Sequence, residues 1–367
     1  AALSFTFSDS FWFNAVEAEV YAMATCIMAL LFWLGFKWEE DIDNERGNKW
    51  LVLISFIVGL SFGVHFMGLL VIPAIGMIYF FKKHPNPNFK NFLFANVLSV
   101  AILLFIFKLL LPSTLALFGY LEVFFVNSLG LPFDSGTIFT AILLITFFVF
   151  FLSYTRKKNL YNTNTFLLCV MFIFIGFSSW LMIPIRSNAN TVINENSPSD
   201  ARALLAYYNL EQYPDTHLFY GPMFSDAYAG QDENNPYKDD KPKYERNEKT
   251  QKYFIVNDWE SGKINSNSDH VGLLPRMWSS ENAINYMTYF GVLDFSIKPE
   301  YLSETNFKKL VLEFKQSVAN GDIDAEGYHK FLTQYGGYLD IEKPSLLNNL
   351  KYLFKYQIGS MYFRYFM

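Results

Sequence analysis

The sequence predicts a polytopic α-helical membrane protein followed by a mixed α/β region facing water, and three observations carry that expectation. Hydrophobic residues make up 52% of the 367 positions and aromatic residues 19%, with 40 Phe and 23 Tyr. A soluble domain of this length needs less apolar material for its core. Apolar runs long enough to span a bilayer fill the first half. From Arg186 onward the chain turns to Asn, Asp, Tyr and Pro in short mixed stretches.

A spanning helix needs about 20 apolar residues. The runs give spans at 11–36, 91–111, 137–155 and 165–185, and a longer run at 50–81. That run is too long for one helix and slightly short for two, and Gly59, Gly63, Gly68, Gly76 and Pro73 interrupt it. Two short helices, 50–64 and 66–81, turning near His65, or a re-entrant pair, account for it. The positive-inside rule favours two. With two spans, Lys37, Arg46 and Lys49, then Lys82, Lys83 and Lys90, then Arg156, Lys157 and Lys158 all fall on one face, and 112–136, which has no Lys or Arg, falls on the other. Residues 1–186 thus form a membrane region of about six spans. Glu17, Glu19, His65 and everything after 186 lie on the non-cytoplasmic side.

Residues 187–367 read as the water-facing region. The stretches "THLFYG" (216–221) and "KYFIVND" (252–258) are expected strands, with a mobile, acidic and Lys-rich loop over 226–250 between them. A helix is expected over 303–321, with Ser303 as N-cap and Gly321 at its stop. Another begins at Pro344 and Ser345. Lys351, Lys355 and Arg364 make it an interfacial rather than a spanning helix.

Several function classes are disfavoured. The net charge of −5 comes without a concentrated basic face, which argues against nucleic acid as a partner. Cys26 and Cys169 both fall in apolar runs, so neither a disulfide framework nor a cysteine metal site is supported. No phosphate-binding glycine loop, HExxH, GxSxG or zinc spacing occurs. No initiator Met, charged n-region or cleavage site opens the sequence, so it reads as a piece of a longer protein.

The candidate residues are polar groups at the non-cytoplasmic ends of spans. Asn14 and Glu17 have the spacing of a capping box. Glu19 lies on roughly the opposite helix face, so one cap does not explain both acids. Such a pair suits a divalent metal, an acceptor hydroxyl or an arginine. His65 is either a satisfied structural histidine or a contact to a head group or phosphate. Lys108 either snorkels or meets an anionic lipid phosphate. Glu122, Asn127 and Asp134 are spaced along an aromatic segment, 120–136, that reads as an amphipathic helix on the outer surface ending in a Gly-Pro turn. Arg186, Asn188, Asn190, Glu195, Asp200 and Arg202 crowd one polar run just past the last span, where Ser197 or Ser199 is the expected cap of a helix beginning near Asp200.

The stretches "FSDSFWFNAVEAEVYAM", "GLSFGVHFMGLLVIPA", "EVFFVNSLGLPF", "IPIRSNANTVINENSPSDARALLAY" and "YQIGSMYFRYFM" together resemble a bacterial multi-pass membrane family once of unknown function, whose animal relatives are protein O-mannosyltransferases. The resemblance implies a GT-C-like fold and a glycosyltransferase that takes its sugar from a polyprenyl-phosphate donor. The implied acceptor is a protein hydroxyl on the periplasmic side of a bacterial inner membrane. In such enzymes the catalytic carboxylate lies in the first outer loop, which the resemblance places upstream of Ala1. Glu17 and Glu19 then line the same cavity and position the acceptor or a divalent metal. The substrate-binding candidates are His65, Lys108, Glu122, Asn127, Arg186, Glu195, Asp200 and Arg202, with His65, Lys108, Arg186 and Arg202 at the lipid phosphate. The implied partners are membrane lipid, the lipid-linked donor and an acceptor protein, with no other cofactor fixed. A non-enzymatic scaffold or export-machinery component is the alternative; transport is disfavoured because no internal repeat appears.

Overall fold

In a computed structural model the chain is described except for residues 1, 45, 190, 214–216, 233 and 367 and the side chains of 2, 10, 365 and 366. It divides into two compact units, 1–212 with 244–254, and 213–243 with 255–367. The composition break at 186 therefore falls inside the first unit. Contacts rather than composition decide this, since 188–212 and the 244–254 segment are polar in sequence yet fold with the helices.

The first unit opens with two short helices, α1 (Ala2–Thr6) and α2 (Asp9–Val16), followed by α3 (Tyr21–Asp41). The expected 11–36 span is thus split. Glu17 is an extended residue at the C-cap of α2, not the closing acid of a capping box, and Asn14 lies inside that helix. Starting α3 at Tyr21 leaves both acids outside the apolar helix, where a carboxylate is tolerated.

Helix α4 (Asn48–Ser61) and α5 (Val71–Lys83) are joined by a turn and a 3-10 segment, Phe66–Leu70, so the chain reverses near His65. Fourteen residues of α4 span only about 21 Å, short of a hydrocarbon core of about 30 Å. Among the described residues, five helices rather than six are long and apolar enough to cross a membrane: Tyr21–Asp41, Phe66–Lys83, Phe89–Asn127, Ser135–Lys157 and Tyr161–Ser187.

The third of these corrects the expected loop at 112–136. Helix α6 (Phe89–Leu104) passes through a π-helical stretch, Phe105–Leu110, into α7 (Leu111–Asn127) without a break. A reversal then leads into α8 (Ser135–Lys157), followed by α9 (Tyr161–Phe177), α10 (Met182–Ser187) and α11 (Ala201–Tyr208).

Small residues set the closest helix contacts. A Cβ on Gly59 of α4 would stand 2.1 Å from the Ile173 carbonyl oxygen of α9, and one on Gly176 would stand 2.2 Å from that of Phe56. The core around this seam includes Ile27, Leu31, Leu34, Val58, Phe62 and Phe177. The indole of Trp180 donates to the Phe62 carbonyl at 2.6 Å inside it.

The bundle has two distinct ends. At one, Lys82 meets Glu39, Lys83 meets Asp43, Lys49 meets Asp41 and Asn48 meets Thr165, so the basic connections gather there. At the other, Tyr21 meets His65, and Glu122 meets the start of α8.

The second unit is built from two-stranded antiparallel sheets and short helices. Strand β1 (Tyr220–Pro222) pairs with β6 (Val271–Leu273), and β2 (Tyr237–Lys238) with β5 (Lys263–Ile264). β7 (Phe295–Ile297) pairs with β8 (Leu339–Ile341). The hairpin of β3 (Tyr244–Asn247) and β4 (Lys252–Ile255) belongs almost wholly to the first unit. The 226–250 stretch is therefore no featureless loop, since it holds α12 (Asp226–Ala229), β2 and β3. The expected strand at 216–221 is confined to Tyr220 onward, Thr216 lying outside the described residues.

Helices α13 (Ala283–Phe290), α14 (Thr305–Asn320) and α15 (Ala325–Tyr335) bury Met287, Val311, Phe331 and Leu332 against Phe224 and Phe295. Glu304, not Ser303, occupies the N-cap position of α14. Gly321 ends that helix at φ +81, a left-handed conformation that favours glycine. Ser345 caps α16 (Leu346–Lys351) by accepting the Asn348 N–H at 3.2 Å, and wide π turns lead from it to α17 (Phe363–Phe366).

Candidate functional site

The densest polar constellation of the first unit forms where α7 reverses into α8. Gly130 and Asp134, both at positive φ, turn the chain so sharply that α8 starts against α7. A Cβ on Gly136 would stand 2.4 Å from the Leu121 carbonyl oxygen. Glu122 is thereby fully buried and faces the α8 N-terminus. Its carboxylate accepts the backbone N–H of Asp134 at 2.6 Å and of Thr137 at 2.9 Å, and the Thr137 hydroxyl at 3.0 Å. A negative group bonded to the orphan donors of a helix start is doubly stabilised, by the hydrogen bonds and by the helix dipole. Asp134 occupies the N-cap position but makes no capping bond, so Glu122 caps α8 from a neighbouring helix.

The β3–β4 hairpin closes over this corner. Asn127 exchanges two hydrogen bonds with the backbone of Tyr253, accepting its N–H at 2.8 Å and donating to its carbonyl at 2.9 Å. One side-chain amide thus substitutes for a strand neighbour. The Tyr253 hydroxyl donates to Glu122 at 3.2 Å and accepts from Arg246 Nε at 2.9 Å. Arg246 also bonds Asp134, stands 3.4 Å from Asp200 and packs over Phe133 at 5.0 Å. Burial works against its charge, but the bonds to Asp134 and Tyr253 and the charge of Asp200 hold its pKa above the ordinary guanidinium value. Burial, with the nearby Asp200 carboxylate, pushes the Tyr253 phenol up, so it stays a hydrogen-bond donor.

Asp200 is the N-cap of α11 and accepts the N–H of Arg202 and of Ala203, both at 2.9 Å. The expected Ser197 and Ser199 caps are thus replaced by the acid itself. Arg202 differs from the other charged groups. Its guanidinium lies 5.5 Å from the ring of Tyr120 and 5.0 Å from that of Tyr244, with no carboxylate partner among the described residues. Two aromatic faces stabilise such a cation while leaving its planar N–H fork unspent, which is the arrangement that recognises phosphate or carboxylate.

Four of the sequence-derived candidates, Glu122, Asn127, Asp200 and Arg202, therefore share one corner. Three of them are engaged with backbone groups. The other candidates lie elsewhere in the first unit. Glu17 and Glu19 are exposed in the α2–α3 connection; the Glu17 N–H donates to the Phe13 carbonyl at 3.1 Å, and neither carboxylate is bonded among the described residues. His65 accepts the Met67 N–H at 3.1 Å, capping the 3-10 segment, and its ring is 5.6 Å from that of Tyr21. Lys108 is exposed, with its ammonium 4.9 Å from the Phe107 ring. Arg186 and Glu195 are exposed, and Asn190 lies outside the described residues. No group of three or more His, Cys, Asp or Glu side chains arranged for a metal occurs among the described residues.

Sequence reading missed Arg246, Tyr253, Tyr244 and Tyr120. The available signal was the pairing of "YERN" with "KYFI" across a polar turn, a hairpin pattern hidden in a charge-rich stretch.

Residues 1–88 match the family model described as the Protein O-mannosyl-transferase TMEM260 N-terminal domain. Over that quarter the chain is similar to an O-mannosyl-transferase domain. Residues 214–354 match a Family of unknown function (DUF8416). The first match holds "FSDSFWFNAVEAEVYAM" and "GLSFGVHFMGLLVIPA"; the other stretches that carry the resemblance lie outside both matches. No curated protein and no solved structure matches the chain.

Proposed function

We propose that the protein is a membrane glycosyltransferase that moves a sugar from a polyprenyl-phosphate donor to hydroxyl groups of an acceptor protein. The observation that carries this reading is the match of residues 1–88 to an O-mannosyl-transferase domain, in a chain with five helices suited to a bilayer. The acceptor and the end of the bundle bearing Glu17, His65 and Glu122 are assigned to the non-cytoplasmic, periplasmic side on the positive-inside pattern.

In the proposed reaction the acceptor oxygen bonds the anomeric carbon while the bond from that carbon to the phosphate oxygen breaks. The electron pair leaves with the polyprenyl phosphate and the acceptor proton passes to a carboxylate. Glu17 and Glu19, exposed and with no bond to either carboxylate among the described residues, are suited to orient the acceptor or to meet a divalent metal. Arg202, with Arg186, is assigned to the departing phosphate, where a planar cation stabilises developing charge. Glu122, Asn127 and Asp200 hold the corner that positions Arg202.

The test is sugar transfer, read by intact mass, with the full-length protein in nanodiscs and a panel of polyprenyl-phosphate sugars. Arg202→Lys and Glu17→Gln with Glu19→Gln are expected to lower transfer about tenfold or more, each loss of a transition-state contact being worth roughly 1–4 kcal/mol. Undiminished transfer in these variants removes the residues from the site. One observation favours a second reading, a non-enzymatic scaffold: the buried acids Glu122 and Asp200 are bonded into the structure. No transfer from a folded sample with any donor would select it.

A further inference from the structure

We propose that the basic end of the helical unit holds one two-chain anionic phospholipid, its chains in two apolar grooves that share a wall. The grooves measure about 530 and 630 Å³, within the range of about 300–1,000 Å³ typical of ligand sites. Trp38, Leu51, Tyr79, Ile102, Ile106 and Ile173 line both. The Trp38 ring stacks on Tyr79 at 5.3 Å and 12° to form the stiffest part of that wall. Phe94 and Leu98 on one rim, and Phe105 and Phe166 on the other, are exposed, so both grooves open at the surface of the bundle. In a bilayer an opening of this kind meets hydrocarbon.

Apart from Ser55 in the shared wall, Ser99 in the first groove and the Cys169 thiol in the second, each groove is polar only toward the basic end. The first reaches His84 and Asn91, the second Asn48, Asn162 and Thr165. Two tails diverging from one head match two grooves whose polar margins lie at the same end.

Charge decides the class of head group. Among the described residues the acids at this end are already matched, Glu39 by Lys82, Glu40 by Lys37, Asp41 by Lys49 and Asp43 by Lys83. Lys90, beside Asn91, and Arg156, Lys157 and Lys158, just before Asn162, carry no pair among the described residues. A surplus of cations beside a groove between membrane helices selects an anionic head.

The test uses the full chain in nanodiscs of equal phosphatidylglycerol and phosphatidylcholine, followed by native mass spectrometry. One retained phosphatidylglycerol per chain is expected. Ala95→Trp and Ala101→Trp, which each fill one groove, should cut the retained lipid about tenfold, as expected for losing buried hydrocarbon contact. Lys90→Gln should lower the preference for phosphatidylglycerol about fivefold, each nearby charge being worth roughly that factor. Equal retention of both lipids, no retained lipid, or undiminished retention in the filled variants would overturn the proposal. If a filled variant does not fold, bromine-labelled phosphatidylglycerol decides: it should quench fluorescence of the unaltered protein more than that of Trp38→Phe, and equal quenching rejects the site.

Discussion

Glu17 and Glu122 are the same side chain under opposite conditions. The Glu17 carboxylate is exposed in the connection between two helices and bonded to no described residue, whereas that of Glu122 is fully buried and accepts four hydrogen bonds. Burial without partners would cost an ionised carboxylate several kcal/mol, so Glu122 persists only because the α8 N-terminus, Thr137 and Tyr253 saturate it. The lesson separates structure from chemistry. A saturated acid has little left to offer a substrate, and the free acids are the ones available for one.

Substitutions at the buried corner test whether saturation of Glu122 holds the helices together. The largest effect is expected from Glu122→Leu, which strands two backbone N–H groups, two hydroxyl donors and the corner around Arg246. It should destabilise the folded protein by about 3–5 kcal/mol, since each buried donor left without its acceptor costs about 1–3 kcal/mol, read as a lower thermal midpoint. Glu122→Gln keeps the shape and part of the bonding, and should cost about 1–2 kcal/mol. A Gln variant as damaging as the Leu variant would show that charge, not hydrogen bonding, holds the corner. Arg246→Met leaves Asp134 and the largely buried Asp200 without their cation and is expected to cost about 1–3 kcal/mol.

The second unit offers a buried group with a pH signature. His270 is buried with Nδ1 2.9 Å from the hydroxyl of Ser225, and burial holds its pKa below the ordinary 6.5, against the opposing charges of Asp226 and Asp269. The unfolded chain therefore binds this proton below about pH 6.5 while the folded chain resists it, so stability falls as pH drops through that value. A thermal midpoint that declines from pH 7 to 5, with a flatter decline in His270→Gln, is the expected result. The smallest effect belongs to the exposed pair of Lys83 and Asp43. Lys83→Ala should leave the midpoint unchanged, since exposed ion pairs add little.

Helical content and the reversal at His65 were legible because apolar runs, interrupting glycines and basic clusters are local signals. The limits of the helices were less so. The run at 11–36 hid a break at 17–20, and hydropathy averages over two acids that the backbone must keep clear of the apolar helix. The 112–136 stretch read as an outer connection holding a surface helix from 120, yet the helix begins at Leu111 and Leu111, Leu115, Gly119, Glu122 and Val126 bury one stripe of it. Arg186, Asp200 and Arg202 were found as a polar crowd, but how Asp200 and Arg202 are engaged depends on Tyr120, Tyr244 and Arg246, between 42 and 82 positions away. Asn127 and Tyr253 meet across 126 positions, a pairing that no spacing rule reports. Caps were misassigned for a related reason: Asp200 and the distant Glu122 outcompete the serines nearby because a charged acceptor serves a helix start better than a hydroxyl.

The π-helical stretch at Phe105–Leu110 works as an indexing step in a shaft. A wide turn accommodates a surplus residue and so advances everything beyond it by about 100° around the axis. Ile106 and Leu111, both buried, are five positions apart where an ordinary helix would bring three or four into line. Removing one residue from this stretch would restore a regular helix, yet rotate Glu122 out of reach of α8 and turn Gly119 and Asn127 with it. The geometry of the polar corner is thus set a full four turns away, by an irregularity whose own side chains take no part in it.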